Sequence, residues 1–192
     1  MKIGYTVPYR RKREGRTDYN LRLKILAGRK PRVVVRRTLK HLILQVVDYT
    51  PTGDKVLVAS HTHDLGQYGW KAGTGNIPAG YLAGLLLGVR ANKAGITSCV
   101  ADIGMHPAVH GGVVFAALKG CVEAGISLPL DDKVVPDQKR LSGEHISHWG
   151  KTVTSKPQSA KQHFREVVQK GLVLDQFGNH VAQVRKAILG GQ

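Results

Sequence analysis

Two histidine pairs, one aspartate ahead of a glycine loop and a Gly-Lys-Thr triplet are the residues of this chain whose types and spacing could do chemistry. His61 and His63 flank Thr62, and His145 and His148 stand one helical turn apart, so either pair could hold a metal ion. A structural or catalytic zinc site needs three or four N, S or O ligands. Neither pair has a nearby cysteine or a matched second pair, so no metal site is assigned. His106 and His110 share a loop with Asp102-Ile103-Gly104. An acid at a strand end before a glycine loop is where α/β enzymes place catalytic groups. The simpler expectation is that Asp102 caps amides of its own loop or reaches an arginine. Gly150-Lys151-Thr152 matches the end of a phosphate-binding loop, but the glycine required five residues earlier is replaced by His145, and no strand precedes it. Gly73-Thr74-Gly75 is too short for a dinucleotide fingerprint. The reading assigns no catalytic residue and no cofactor.

The charge is more specific than any of these. Residues 1–40 hold fourteen Lys and Arg against two acids, Glu14 and Asp18, a net of +12 out of +16 for the whole chain. Residues 41–150 come to −1 and residues 151–192 to +5. A solvated protein surface mixes signs; a block of one sign is what a polyphosphate selects through Coulomb attraction and counterion release. Arginine outnumbers lysine here, which favours bidentate phosphate contacts. Tyr5, Tyr9 and Tyr19 are interleaved with the arginines, and aromatic rings beside guanidinium groups suit unpaired bases, more typical of RNA than of duplex DNA.

Those residues need elements to position them. A chain of 192 residues with 42% hydrophobic content can bury a sizeable core. Cys99 and Cys121 each lie in an apolar stretch and read as free buried thiols. The start Met1-Lys2-Ile3-Gly4-Tyr5 has no apolar leader region, and no run of eighteen apolar residues exists, so a soluble intracellular protein with no membrane partner is expected. Residues 1–16 read as an extended basic arm that orders on binding an anion. Thr17 or Asp18 caps a helix over 18–27, stopped by Gly28 and Pro31. Its N-terminus is a further candidate for a phosphate. Strands are expected at 32–37, 41–48 and 55–60, joined as an antiparallel meander with a turn at Pro51-Thr52-Gly53-Asp54. Asn76-Ile77-Pro78 opens a helix over 78–94. A strand follows over 97–103, a loop over 104–111 and a helix over 112–124. From 131 the signal weakens. Residues 133–160 lack periodicity, and helices are expected at 160–170 and 179–189, with Gly171 and Gly178 as breaks. The fold class is α/β: an antiparallel meander plus α/β units in one mixed sheet, with the basic arm at 1–16, an RNA-binding domain at 17–130 and a helical C-terminal extension at 131–192.

Several segments taken in order resemble a known family. They are Arg11-Lys12-Arg13-Glu14-Gly15-Arg16-Thr17-Asp18-Tyr19, Pro31-Arg32-Val33-Val34-Val35-Arg36, Tyr68-Gly69-Trp70 with Asn76 and Tyr81-Leu82-Ala83-Gly84-Leu85-Leu86, Asp102-Ile103-Gly104, and Val114-Phe115-Ala116-Ala117-Leu118-Lys119-Gly120. Together they resemble large-subunit ribosomal protein eighteen of the archaeal type, over about residues 5–130. Leu128-Pro129-Leu130 stands where that family usually has Ile-Pro-His, and 150–192 does not align motif by motif. The resemblance implies a ribonuclease H-like sheet and a structural role in the central protuberance of the large ribosomal subunit. It implies 5S ribosomal RNA, large-subunit ribosomal RNA and neighbouring ribosomal proteins as partners, no small-molecule substrate, and a cytoplasmic location. It also raises two alternatives: a DNA-compacting protein, and a nuclease on the same scaffold. Such nucleases carry a metal-binding carboxylate on the first strand. The first strand here, Arg32-Val33-Val34-Val35-Arg36-Arg37, has no acid, so an RNA-holding protein and not an enzyme is expected. The residues assigned to RNA are Tyr9, Arg10, Arg11, Lys12, Arg13, Arg16, Thr17, Asp18, Tyr19, Arg22, Lys24, Lys30, Arg32, Arg36, Arg37 and Lys40. Tyr68 and Trp70 join them as residues that either stack on bases or pack on the domain.

Overall fold

Val33-Val34-Val35 is a β-branched run too short for a helix, and it forms the heart of the sheet. The computed structural model describes residues 4, 6–154, 167 and 169–190. Strand β1 (Arg32–Arg37) lies antiparallel to β2 (Leu42–Thr50), which lies antiparallel to β3 (Gly53–His61). A short β4 (Val100–Asp102) joins β1 in parallel, giving the order β3-β2-β1-β4. This is the mixed α/β sheet expected from the sequence. The two-residue period divides β1 between the faces. Val33 pairs with Val46 and Val35 with Leu44, all fully buried on the helix-covered face. Arg32 pairs with Val47, Val34 with Gln45 and Arg36 with Ile43, so both arginines share the other face.

Helix α3 (Ile77–Lys93) starts where Asn76 Oδ1 accepts the Ala79 N–H, with Pro78 in the first turn, as its sequence predicts. It is buried nearly all round, between the sheet and α4 (Val113–Glu123). Two glycines set that approach. A Cβ on Gly84 would lie 1.9 Å from the Ala117 carbonyl oxygen, and one on Gly120 would lie 2.2 Å from that of Tyr81. The Tyr81 hydroxyl donates to Glu123, whose carboxylate also meets Arg185 at 3.4 Å. Burial and that carboxylate push the Tyr81 phenol well above its ordinary range. Cys99 and Cys121 are free and buried, as expected.

The C-terminal half departs from its sequence reading. Short α5 (Gln138–Leu141) and α6 (Glu144–Thr154) occupy the stretch read as aperiodic. The final helix α7 (Phe177–Gly190) begins two residues before its expected start and runs through Gly178, which is therefore no break. Phe177, Val181, Val184 and Ile188 of α7 join the same core as the sheet. The expected helix at 160–170 falls mostly outside the described residues. The strand expected over 97–103 shortens to three residues because the Thr97 carbonyl and Ser98 turn to pair with Ser127.

Candidate nucleic-acid interface

The arm does not run extended as expected. Tyr9 opens a single helical turn, α1 (Arg10–Arg13), its carbonyl accepting the N–H groups of Lys12 and Arg13. Glu14 explains the winding: it pairs with Arg10 at 3.5 Å and Arg16 at 3.2 Å, and so relieves repulsion between close cations. Arg11 Nε donates to Thr17 Oγ1 at 2.9 Å. No residue of α1 is buried. The Tyr9 ring, 72% exposed, lies 5.1 Å from that of Tyr19 at a 39° tilt. An unpaired base could extend that pair. Tyr5 lies outside the described residues.

Helix α2 (Tyr19–Ala27) follows, capped by Asp18, whose Oδ1 accepts the N–H groups of Asn20 and Leu21. A phosphate at this helix start would have to displace a carboxylate that already holds the amides, so the N-terminal anion site expected from the sequence is closed. Past Gly28 it is Arg29 that takes the left-handed conformation, at φ 48°. Lys24, Lys30, Arg37 and Lys40 are exposed.

Beneath α2 the sheet carries an ion-pair network. Arg32 is only 2% exposed and reaches two carboxylates: Nη1 is 2.9 Å from Asp102 Oδ2, and Nη2 is 2.8 Å from Asp54 Oδ2. The second contact is an ion pair by distance, but its N–H is not aimed at the oxygen; Arg32 Nε has no acceptor at all. Asp54 also binds Arg22 at 2.9 Å. Burial pushes the Asp54 carboxyl up, but the Arg32 and Arg22 guanidinium groups outweigh it and hold the group below its ordinary range. Asp102 Oδ1 accepts from Arg36 Nη2 at 3.0 Å and from the Gly104 N–H at 2.9 Å. Asp102 therefore does both things expected of it: it caps its own loop and it holds arginines.

The structure corrects two expectations. Arg32 does not lie on an open face: two acids distant in sequence draw its side chain in, and it is 2% exposed. Trp70, 6% exposed, sits in the core with its ring stacked on His180 at 5.2 Å and edge-on to Phe177 at 5.7 Å. Of the two roles open to Trp70 it takes packing. Its Nε1 donates to the Gly73 carbonyl, which avoids an orphaned donor. Tyr68 is partly buried against the same core. Arg22 and Arg36 stay partly exposed while engaged with acids. Asp54 is the member of the network that the sequence reading missed. Its only local signal was the hairpin turn.

Two of the histidines do structural work. His61 Nδ1 accepts the His63 N–H and caps the three-ten turn Thr62–Tyr68. His106 Nε2 accepts the Arg37 N–H. Among the described residues no three His, Cys, Asp or Glu side chains gather as a metal site, and no helix is long and apolar enough to cross a membrane.

This geometry, a basic arm and face whose carboxylates are held by arginines or by backbone amides, can hold a polyanion. Comparison with known proteins points the same way. The family model for ribosomal large subunit proteins 60S L5 and 50S L18 matches residues 4–96, which span the arm, α2, the meander and α3. The large ribosomal subunit protein uL18 of the archaeon Staphylothermus marinus is 42% identical over 187 residues, covering 96% of this chain and 93% of its own. That alignment carries the likeness through the C-terminal extension, beyond the segments that could be matched by motif. An arginine-rich arm, a meander with an acid-free first strand and identity running nearly end to end have one common explanation: the chain belongs to the uL18 family of large ribosomal subunit proteins.

Proposed function

We propose that this structural ribosomal protein binds 5S ribosomal RNA and helps attach it to the large-subunit RNA in the central protuberance, beside neighbouring ribosomal proteins. The observation that carries the reading is the confinement of +12 to residues 1–40 beside a middle of −1. Tyr9 and Tyr19 supply an aromatic shelf for a base. Arg10, Arg11, Lys12, Arg13 and Arg16 supply phosphate contacts from the arm, with Thr17 and Asp18 fixing its junction to α2. Lys24, Lys30, Arg37 and Lys40 extend the contact along the domain, and Arg22 and Arg36 border it from within the ion-pair network. The nuclease alternative finds an arginine on β1 where it would need an acid, and Asp54 and Asp102 are already neutralised by arginines.

Binding of 5S RNA at several salt concentrations tests the reading. Log K should fall with log salt by about 0.7–0.9 per phosphate neutralised. Deleting 1–16 should flatten that slope by several units and leave the melting temperature nearly unchanged, because the arm contributes nothing to the core. An unaltered slope sinks the arm's role. Equal affinity for duplex DNA in competition at physiological salt would favour the DNA-compacting alternative.

A further inference from the structure

We infer that the cavity between the arm, α2 and the open face of the sheet seats a single phosphate group of the RNA backbone; the inference rests on the RNA-binding reading above. The cavity measures about 210 Å³ and is lined by five arginines, Arg11, Arg16, Arg22, Arg32 and Arg36. That space is well above the roughly 10–15 Å³ that one water requires.

Three carboxylates also line it, and none of them accepts from Arg32 Nε. Asp18 Oδ1 is taken by two amides of α2. Asp54 divides its oxygens between Arg22 and Arg32. Asp102 gives one oxygen to Arg32 and the other to Arg36 and the Gly104 amide. The lining is thus two positive charges in excess, with a buried guanidinium whose Nε–H lacks an acceptor. A buried donor without an acceptor is unfavourable, and a guanidinium has five N–H groups to satisfy. A phosphate oxygen is the acceptor that suits this surplus, because it answers charge and hydrogen bonding together.

The roof can yield to admit it. No residue of α2 is buried, and the helix is pinned to the sheet by the Arg22–Asp54 pair at 2.9 Å. Arg11 and Arg16 bring the arm to the same cavity, so a strand of RNA following the arm would present its backbone there. A free phosphate ion shares the chemistry, and the test separates the two sources.

The full-length chain, labelled with nitrogen-15, gives one Nε–Hε signal per arginine, and an Arg32→Lys variant assigns that of Arg32. Titration with inorganic phosphate should shift this signal saturably, and sodium chloride at equal ionic strength should not. Adding 5S RNA should shift it as well and abolish the response to free phosphate. Val56→Trp plugs the cavity from a strand position that is 46% exposed, and Met105→Trp does so from one that is 58% exposed, leaving the core untouched. Either variant should lose the phosphate response and lower the salt slope of RNA binding by about 0.7–0.9, one phosphate. No saturable shift in the parent chain, a shift with free phosphate but none with RNA, or a folded plugged variant with the parent's slope overturns the seat while RNA binding itself stands. Absence of RNA binding by the parent chain would instead overturn the function proposed above.

Discussion

Asp102→Asn is the substitution whose consequences the ion-pair network constrains most tightly. The carboxylate is 10% exposed and holds two guanidinium groups, Arg32 (2% exposed) and Arg36 (40% exposed). An amide in its place keeps one acceptor for Arg32 or for the Gly104 N–H, but removes the charge. Taking one partner from a buried pair costs about 3–5 kcal/mol, because the other charge stays buried and uncompensated. Two features place this case at the lower end. Arg32 keeps Asp54 at 2.8 Å, and Arg36 is exposed enough that solvent screens its loss to about 1 kcal/mol or less. The expected destabilisation is about 3 kcal/mol, or roughly 6–12 °C in melting temperature for a chain of this size.

Thermal melting followed by circular dichroism measures it, and a double-mutant cycle with Arg32→Met isolates the pair. Once Arg32 is apolar, Asp102 is left with its exposed partner, so Asp102→Asn should then cost about 1 kcal/mol or less. RNA affinity should move in the opposite direction from stability. Removing an acid from the lining of the arginine-rich cavity raises its net charge by one, so binding at low salt should tighten. A variant that melts with the parent chain, or costs that add without coupling in the cycle, would refute the claim that Asp102 is held by a buried arginine.

Two other perturbations read the packing. Burial, and then the Lys71 charge, hold His180 below its ordinary pKa of 6.5, and its Nε2 accepts the Lys71 N–H, so the folded protein keeps this ring neutral. Above 6.5 the folded and unfolded states are both neutral there. Below it the unfolded chain takes a proton that the folded one refuses, so stability falls with pH until the folded pKa is reached. His61 and His145 are depressed too and pull in the same direction, so the measurement is the difference between the parent and His180→Gln, whose melting temperature should fall less between pH 7 and 5. Gly84→Ala and Gly178→Ala should change stability with opposite signs by calorimetry: a Cβ at 84 would meet the Ala117 carbonyl at 1.9 Å and should cost about 1–3 kcal/mol, whereas one at 178 finds nothing nearer than 3.7 Å and should gain up to about 1 kcal/mol.

Local chemistry made much of this fold legible. Strands β1 to β3 could be read from β-branched runs and a proline-led turn, and α3 from Asn76 and Pro78, because the forces that set those elements act within a few residues. Arg32 could not be read this way. In sequence it is one cation among fourteen, and only Asp54 and Asp102, brought together by the sheet, decide that it is buried. Trp70 required Phe177 and His180, more than a hundred residues away, before its packing role appeared. Helix α6 was hidden because Ile146 and Trp149 are interrupted by His and Ser, so the apolar stripe is too thin to stand out.

The same pairing limits how strongly the basic face can depend on salt. Arg10 and Arg16 are engaged with Glu14, and Arg22, Arg32 and Arg36 with Asp54 or Asp102. Lys2 lies outside the described residues. Arg11, Lys12, Arg13, Lys24, Arg29, Lys30, Arg37 and Lys40 remain with no ion pair among the described residues, which leaves eight cations where the bare sequence counts fourteen. If each neutralises one phosphate and the cavity beneath α2 seats one more, log K for RNA should fall with log salt at a slope of about 6 to 8. A slope near 12 would mean that the internal pairs open when RNA binds, and the network under α2 would then be a latch rather than a frame. A slope near 6 that survives Asp102→Asn with at most one unit of change would show the frame stays shut, with the arm and the exposed rim supplying the attraction.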